Sequence, residues 1–243
     1  MRFDVLGPLR VTAPAGQVRV PSGGSAKVVC WLLANLNQPV STSALAAVLS
    51  PDPTPDGPAK AAALARGLVP VLGADRLEVG GHVTLRTPEE TVDAFRFRAL
   101  VADGLRQIAG GDLELAQAHL SAALDLWRGE PYPELERVLP AMATIDALVE
   151  QRLVAHEELV GIALRRRVDY PLVAELRSLV IRHAERPRLR TQLATALYRT
   201  GRQIEALDAL AQARREHGDL PGYGRLQTAI LQQDPLLADG ELP

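Results

Sequence analysis

The stretch that decides the fold runs from Pro187 to Gln233: PRLRTQLATALYRTGRQIEALDALAQARREHGDLPGYGRLQTAILQQ. Leu189, Leu193, Ala196 and Leu197 recur at helical spacing and share one face. Pro187 stands where a first-turn proline is tolerated. Gly201 then interrupts, a residue able to take the left-handed conformation that ends a helix. A second apolar stripe is read at Ile204, Leu207, Leu210 and Ala211. Two antiparallel helices with small residues between them make a tetratricopeptide-like hairpin. Such a unit cannot bury its apolar face alone and needs stacked neighbours.

A neighbour of the same design lies upstream. Ala194, Gly201, Ala206, Leu210 and Ala213 serve as a template, and Gly104, Gly111, Ala116, Leu120 and Ala123 repeat its spacing without a gap. Small residues let the paired helices approach, glycine turns the chain, and the larger apolar residue fills the seam. The pattern is that of repeats of about 34 residues. Val160 to Leu179 reads as a weaker copy, with Arg167 at the glycine position. Ordinary amphipathic hairpins without shared ancestry would also give a helical array here.

Of the 243 residues, 47% are hydrophobic but only 4% aromatic. The apolar mass is therefore Ala, Leu and Val, which suits helices packed closely through small side chains. The formal net charge of −2 hides an asymmetry. Through Thr87 there are eight Lys and Arg against five Asp and Glu, an excess of +3, which leaves −5 for the remainder. A mildly basic head on an acidic helical body permits nucleic-acid contact by the head. Cys30 is the single cysteine, so an internal disulfide is excluded and a cytoplasmic location is expected. No apolar run approaches the roughly 20 residues that span a bilayer, and the N-terminus lacks a signal-peptide pattern, so no membrane contact is expected.

Met1 to Val11, MRFDVLGPLRV, alternates apolar and polar residues and predicts one or two strands, with another short one at Val18–Val20. Val28, Val29, Leu32, Leu33 and Leu36 form a helical stripe, and Ser41 or Ser43 can cap a short helix through Leu49. SPDPTPDGP at 50–58 is too proline-rich for a helix. Ala59 to Leu72 follows as a helix whose second half Gly67 and Pro70 should weaken. Two alternating runs around Gly80-Gly81 predict a hairpin. Strands, three helices and a hairpin are the order of a winged helix-turn-helix. In that fold the third helix enters the major groove, and the hairpin is the wing that meets the backbone. The predicted fold is thus mainly α. A winged helix-turn-helix with a small sheet and wing hairpin occupies residues 1–87, and an all-α tetratricopeptide-like array occupies 92–235.

Several segments resemble the SARP (AfsR/DnrI-type) family of bacterial pathway-specific regulators. They are MRFDVLGPLRV at the start, LWRGEPYPEL after the first hairpin, DALVEQRL in the long helix, LRTQLATALYRTGRQIEAL in the third hairpin, and LQTAILQQDPLL. The resemblance implies an OmpR-type winged helix followed by a bacterial transcriptional activator domain. It implies promoter DNA with direct repeats as ligand for the head. The helical domain would dimerise or contact RNA polymerase or another protein. No cofactor is implied. The family's recognition helix commonly ends in a pattern like S-R-L-R-K-A-L-G, whereas here Arg66 is followed by Gly67, Val69 and Pro70. Lys60 and Arg66 are the only cations left on that helix. Being six apart, they lie roughly 120° from each other around the helix axis.

The candidate DNA-contacting residues are therefore Lys60 and Arg66 on the third helix, Arg76, His82 and Arg86 on the wing, and Lys27 at the start of the first helix. The run Arg165-Arg166-Arg167 reads as a helix C-terminus, where cations complement the dipole. The five histidines show no zinc-ligand spacing, and no metal is expected. No phosphate-binding loop, nucleophile elbow or dinucleotide fingerprint is present, so no enzyme is expected. Gly222-Tyr223-Gly224 reads as a helix junction, and Glu89-Glu90 and Glu157-Glu158 as capping or solvated acids. Trp31 and Trp127 read as packing residues. A different use of the same fold is a head without specific DNA binding on a protein- or peptide-binding adaptor.

Overall fold

The computed structural model describes residues 1–50, 52, 54–166, 170–234 and 237. The chain forms two compact units, Met1–Leu153 and Val154–Pro243. In the first unit, strand β1 (Arg2–Asp4) pairs antiparallel with β2 (Arg10–Ala13), and β2 with β3 (Gly16–Val18). The alternation in MRFDV is real: Phe3 and Val5 are fully buried while Arg2 is exposed. The third strand starts two residues before the expected Val18 and ends there.

Three helices follow: α1 (Gly24–Ala34), α2 (Thr42–Leu49) and α3 (Gly57–Leu72). Ser41, not Ser43, caps α2, its Oγ accepting the Ala44 N–H at 3.1 Å. Helix α3 continues through Gly67 and Pro70 to Leu72. Pro70 is exposed and lies in the last turn, where its missing N–H costs one intrahelical bond. Leu68 and Leu72, both buried beside Ala61, Ala62 and Ala65, hold the helix to its end. Strands β5 (Leu77–Val79) and β6 (His82–Leu85) make the hairpin around Gly80-Gly81. A two-residue strand, β4 (Val40–Ser41), was not read from the sequence. It joins β6 to give the sheet order β4-β6-β5. Asn37 ties the base of this sheet to the end of α1. Its Nδ2 donates to the Thr87 carbonyl and its Oδ1 accepts the Thr87 N–H, both at 3.1 Å.

Helices α4 (Asp93–Gly110) and α5 (Leu113–Leu124) form the first helical hairpin. Asp112 caps α5 by accepting the Leu115 N–H at 3.0 Å. Gly104 lies against Leu120, and a Cβ added there would stand 2.7 Å from Leu120 Cγ. Asp93 is buried and accepts the N–H groups of Val5 at 2.7 Å and Leu6 at 3.0 Å. Burial raises its pKa, against the pull of those two donors. Tyr132 N–H donates to the Val5 carbonyl at 2.8 Å, and Arg128 N–H to that of Leu6 at 2.7 Å. Glu134 accepts the Leu9 N–H at 2.9 Å. The chain after β1 is thereby laced to α4 and to the loop at 128–134. Secondary structure changes from mixed to all-helical near 87–92, whereas compactness divides the chain after Leu153, inside helix α6 (Leu139–Arg165).

The second unit contains the end of α6 with α7 (Tyr170–Arg182), α8 (Pro187–Arg199), α9 (Gln203–His217) and α10 (Pro221–Leu231). The five-position template occupies the same structural role in both hairpins. Gly111 and Gly201 turn the chain at φ 84° and 78°. Ala116, Leu120 and Ala123 of α5, like Ala206, Leu210 and Ala213 of α9, are buried in the seam. That register corrects the apolar stripe read at Ile204–Ala211: Ile204 and Ala211 are exposed, because the small-residue seam fixes the rotation of α9. Glu157 is not a solvated acid. It is 3% exposed and bonded by Arg186 at 2.9 and 3.0 Å. Gly222-Tyr223-Gly224 lies in the first turns of α10, with Tyr223 buried against the unit's core. Arg165 ends α6, and Arg166 follows it. Arg167, Pro235 and the tail lie outside the described residues. Among the described residues no helix is long and apolar enough to cross a membrane.

Candidate nucleic-acid interface

Helix α3 is placed for contact by its own amphipathicity. Its alanines and leucines at 61, 62, 65, 68 and 72 are buried, which turns Ala59, Lys60, Ala63, Arg66, Gly67 and Pro70 outward. The exposed face is therefore small and apolar at its centre, with one cation near each edge. The two are not equivalent. Lys60 Nζ lies 2.6 Å from Asp56 Oδ2, one turn earlier, and both side chains are more than half exposed. The hydrogen bond from Lys60 holds the Asp56 carboxyl below its ordinary range. Arg66 has no ion-pair partner among the described residues.

The wing shows the same division. Arg86 grips Glu78 through Nε and Nη2 at 2.9 and 3.2 Å. That bond lowers the Glu78 pKa and raises that of Arg86. Arg76 lies 3.1 Å from Asp75 and also reaches the Leu72 carbonyl, at the C-terminal end of α3. Arg86 N–H donates to the Arg76 carbonyl at 2.8 Å, so these two arginines meet at the base of the wing. His82 is exposed at the far end of the hairpin, opposite Ser41 in register. Lys27 is half-buried in the first turns of α1 and makes no ion pair among the described residues.

All six candidate residues thus lie in the winged head, and three of them carry an acid partner that sequence reading had not assigned. The Asp56–Lys60 pair was legible as an i, i+4 spacing. The Glu78–Arg86 pair needed the strand register, which only the folded hairpin supplies. Exposed pairs of this kind are weak, so a phosphate can displace the carboxylate at little cost. Among the described residues no three His, Cys, Asp or Glu side chains gather as they would around a metal ion.

Comparison with known proteins agrees with this architecture. Residues 92–218 match the bacterial transcriptional activator domain. The chain is 32% identical over 250 residues to the transcriptional regulatory protein EmbR of Mycobacterium tuberculosis, covering 96% of this chain and 64% of that protein. It is 32% identical over 255 residues to the regulatory protein AfsR of Streptomyces coelicolor, covering 98% of this chain and 25% of that one. With the regulatory protein DnrI of Streptomyces peucetius it shares 33% identity over 185 residues, 70% of this chain and 68% of DnrI. The solved structure of Mycobacterium tuberculosis EmbR in complex with a low-affinity phosphopeptide superposes with a TM-score of 0.88 at 31% identity. That match covers 98% of this chain and 66% of the solved one. The chain therefore spans just under two thirds of EmbR and a quarter of AfsR. Winged head, repeated helical hairpins, the activator-domain match and 32–33% identity to three such regulators over 70–98% of this chain together place it in the SARP family of bacterial transcriptional regulators.

Proposed function

We propose that the chain is a DNA-binding transcriptional regulator of a biosynthetic gene cluster, acting in the cytoplasm without cofactor, metal or catalytic chemistry. The head sits on direct repeats near a promoter, with α3 in the major groove and the wing on the adjacent backbone. The helical body contacts RNA polymerase or another protein, or pairs with a second copy. The observation that carries this reading is the outward face of α3, with Arg66 uncommitted and Arg76 of the wing reaching the Leu72 carbonyl at the helix's C-terminal end. Identity to regulators along almost the whole chain supports it. The phosphopeptide in the EmbR complex supports a protein contact in the family.

The outward face has few groups that reach base edges, so phosphate contacts supply most of the affinity. Binding to promoter DNA from the protein's own gene neighbourhood should be nanomolar to sub-micromolar and should fall steeply with salt. Contacts from Lys27, Lys60, Arg66, Arg76 and Arg86 give a slope of log K against log[salt] of about −4.5. Electrophoretic mobility shift or fluorescence anisotropy across a salt series measures it. No binding to such DNA at low salt, with co-purification of a neighbour-encoded protein, would replace the regulator by the adaptor.

A further inference from the structure

The second unit holds an open groove of about 640 Å³, walled by α7 and α9 and floored by α8. Leu193 and Leu197 form its floor, and Val180 and Ile181 form one wall. Ile181 is 79% exposed, a large apolar side chain turned to solvent. Four of the charges around the groove are already matched in two pairs. Arg177 bonds Glu205 at 2.7 Å, and Arg190 bonds Glu216. Asp208 and Arg215 remain, both exposed, both on the groove, and neither with an ion-pair partner among the described residues. They lie seven residues apart on α9, about two turns or 10.5 Å. A mixed trough is left, apolar at Ile181 and the leucine floor, with Asp208 toward one end and Arg215 toward the other.

We propose that this groove receives an amphipathic helix of a partner protein, running antiparallel to α9. An acidic residue in the incoming helix's first turn meets Arg215, and a Lys or Arg two turns later meets Asp208. The order follows from electrostatics. A helix favours acids at its N-terminus and cations at its C-terminus, so the charges that satisfy the groove also satisfy the incoming helix's own dipole. The opposite orientation needs the reverse charge order, which its dipole opposes. Apolar residues at i, i+3, i+4 and i+7 then cover Ile181 and the leucine floor. The inference specifies the protein contact proposed for the helical body and does not depend on DNA binding.

The test is selection from a displayed library of randomised 14-residue helical peptides on the intact chain. Enriched peptides should carry Asp or Glu followed seven residues later by Lys or Arg. Fluorescence anisotropy with one enriched peptide should show about tenfold weaker binding to the Asp208→Lys/Arg215→Glu variant. Exchanging the two charges in the peptide should recover most of that loss but not all of it, because the helix dipole opposes the exchanged order. Ile181→Asp should abolish binding by either peptide. Because all three positions are exposed, the variants should keep the parent's melting temperature and DNA affinity. No enriched peptide, peptides indifferent to the charge exchange, or a charge-dependent change in sedimentation that shows two copies meeting at this groove would each overturn the proposal. Peptide capture without DNA binding would sink the regulator reading alone, and DNA binding without capture would sink this one alone.

Discussion

Lys60 and Arg66 carry the same charge on the same helix but differ in what they must give up to meet a phosphate. Lys60 shares its ammonium with Asp56, whereas Arg66 is free of acids among the described residues. Arg66→Ala should therefore weaken promoter binding by about fivefold and reduce the salt slope by about 1. Lys60→Ala should cost less, about twofold, because Asp56 already offsets its charge. Asp56→Asn should do the opposite and tighten binding two- to threefold, since an acid leaves the face presented to DNA. Anisotropy titrations of the three variants on one promoter fragment decide the order. Equal losses for Arg66→Ala and Lys60→Ala would show that the Asp56 pair does not persist at the DNA surface. The sequence contained the Asp56–Lys60 spacing, but the Glu78–Arg86 and Arg186–Glu157 pairs were not legible. Both depend on elements brought together by the fold, not on neighbours along the chain.

At the scale of elements, the repeat register carried the most information. The same five-position template located the turn glycines and the buried seam in two hairpins 90 residues apart. It succeeded because close helix approach admits so few side chains at those positions. Apolarity alone misplaced the face of α9, since Ile204 is apolar yet 77% exposed. Strand β4 carries no signal in the sequence because two residues show no periodicity, and Val40 and Ser41 pair only once the wing exists. Pro70 was expected to weaken α3 but comes too close to its end to do so, and Leu68 and Leu72 hold the turn by burial. The seam makes a quantitative prediction. Gly104→Ala places a methyl group 2.7 Å from Leu120 Cγ, and overpacking of this kind costs about 1–3 kcal/mol. Combining it with Leu120→Val should recover part of that loss, because the smaller side chain makes room. Chemical denaturation of the single and double variants reads the difference. A neutral Gly104→Ala would mean that the two helices separate without penalty.

At the scale of the whole molecule, the boundary suggested by secondary structure and the boundary of compactness differ. The elements of the winged helix-turn-helix were legible one by one, because its strands, helices and hairpin follow one another locally. Its dependence on the residues beyond was not, since it runs through backbone hydrogen bonds that no pattern announces. Val5 and Leu6 give their N–H groups to Asp93, and their carbonyls accept from Tyr132 and Arg128. Val92 and Phe97 are fully buried, as are Phe3 and Leu6 in the same unit. Cutting after Thr91 removes Asp93 and the loop at 128–134, leaving two donors and two acceptors of the first strand region without partners. Each buried polar group left unsatisfied costs about 1–3 kcal/mol, and the exposed apolar residues add to that. Their sum rivals the whole stability of a domain of this size. A fragment of residues 1–91 should therefore unfold without a cooperative transition and bind DNA at least tenfold more weakly than the full chain. A fragment of residues 1–153 should unfold cooperatively and keep most of the DNA affinity, because every partner named here lies within it. Circular dichroism melts and anisotropy on the two fragments make the comparison. Asp93→Ala in the full chain isolates one part of the effect, with an expected loss of about 3 kcal/mol from the two orphaned donors. Sharp, reversible melting of the shorter fragment with native DNA affinity would show instead that the head is self-sufficient and that the helical hairpin behind it is only attached.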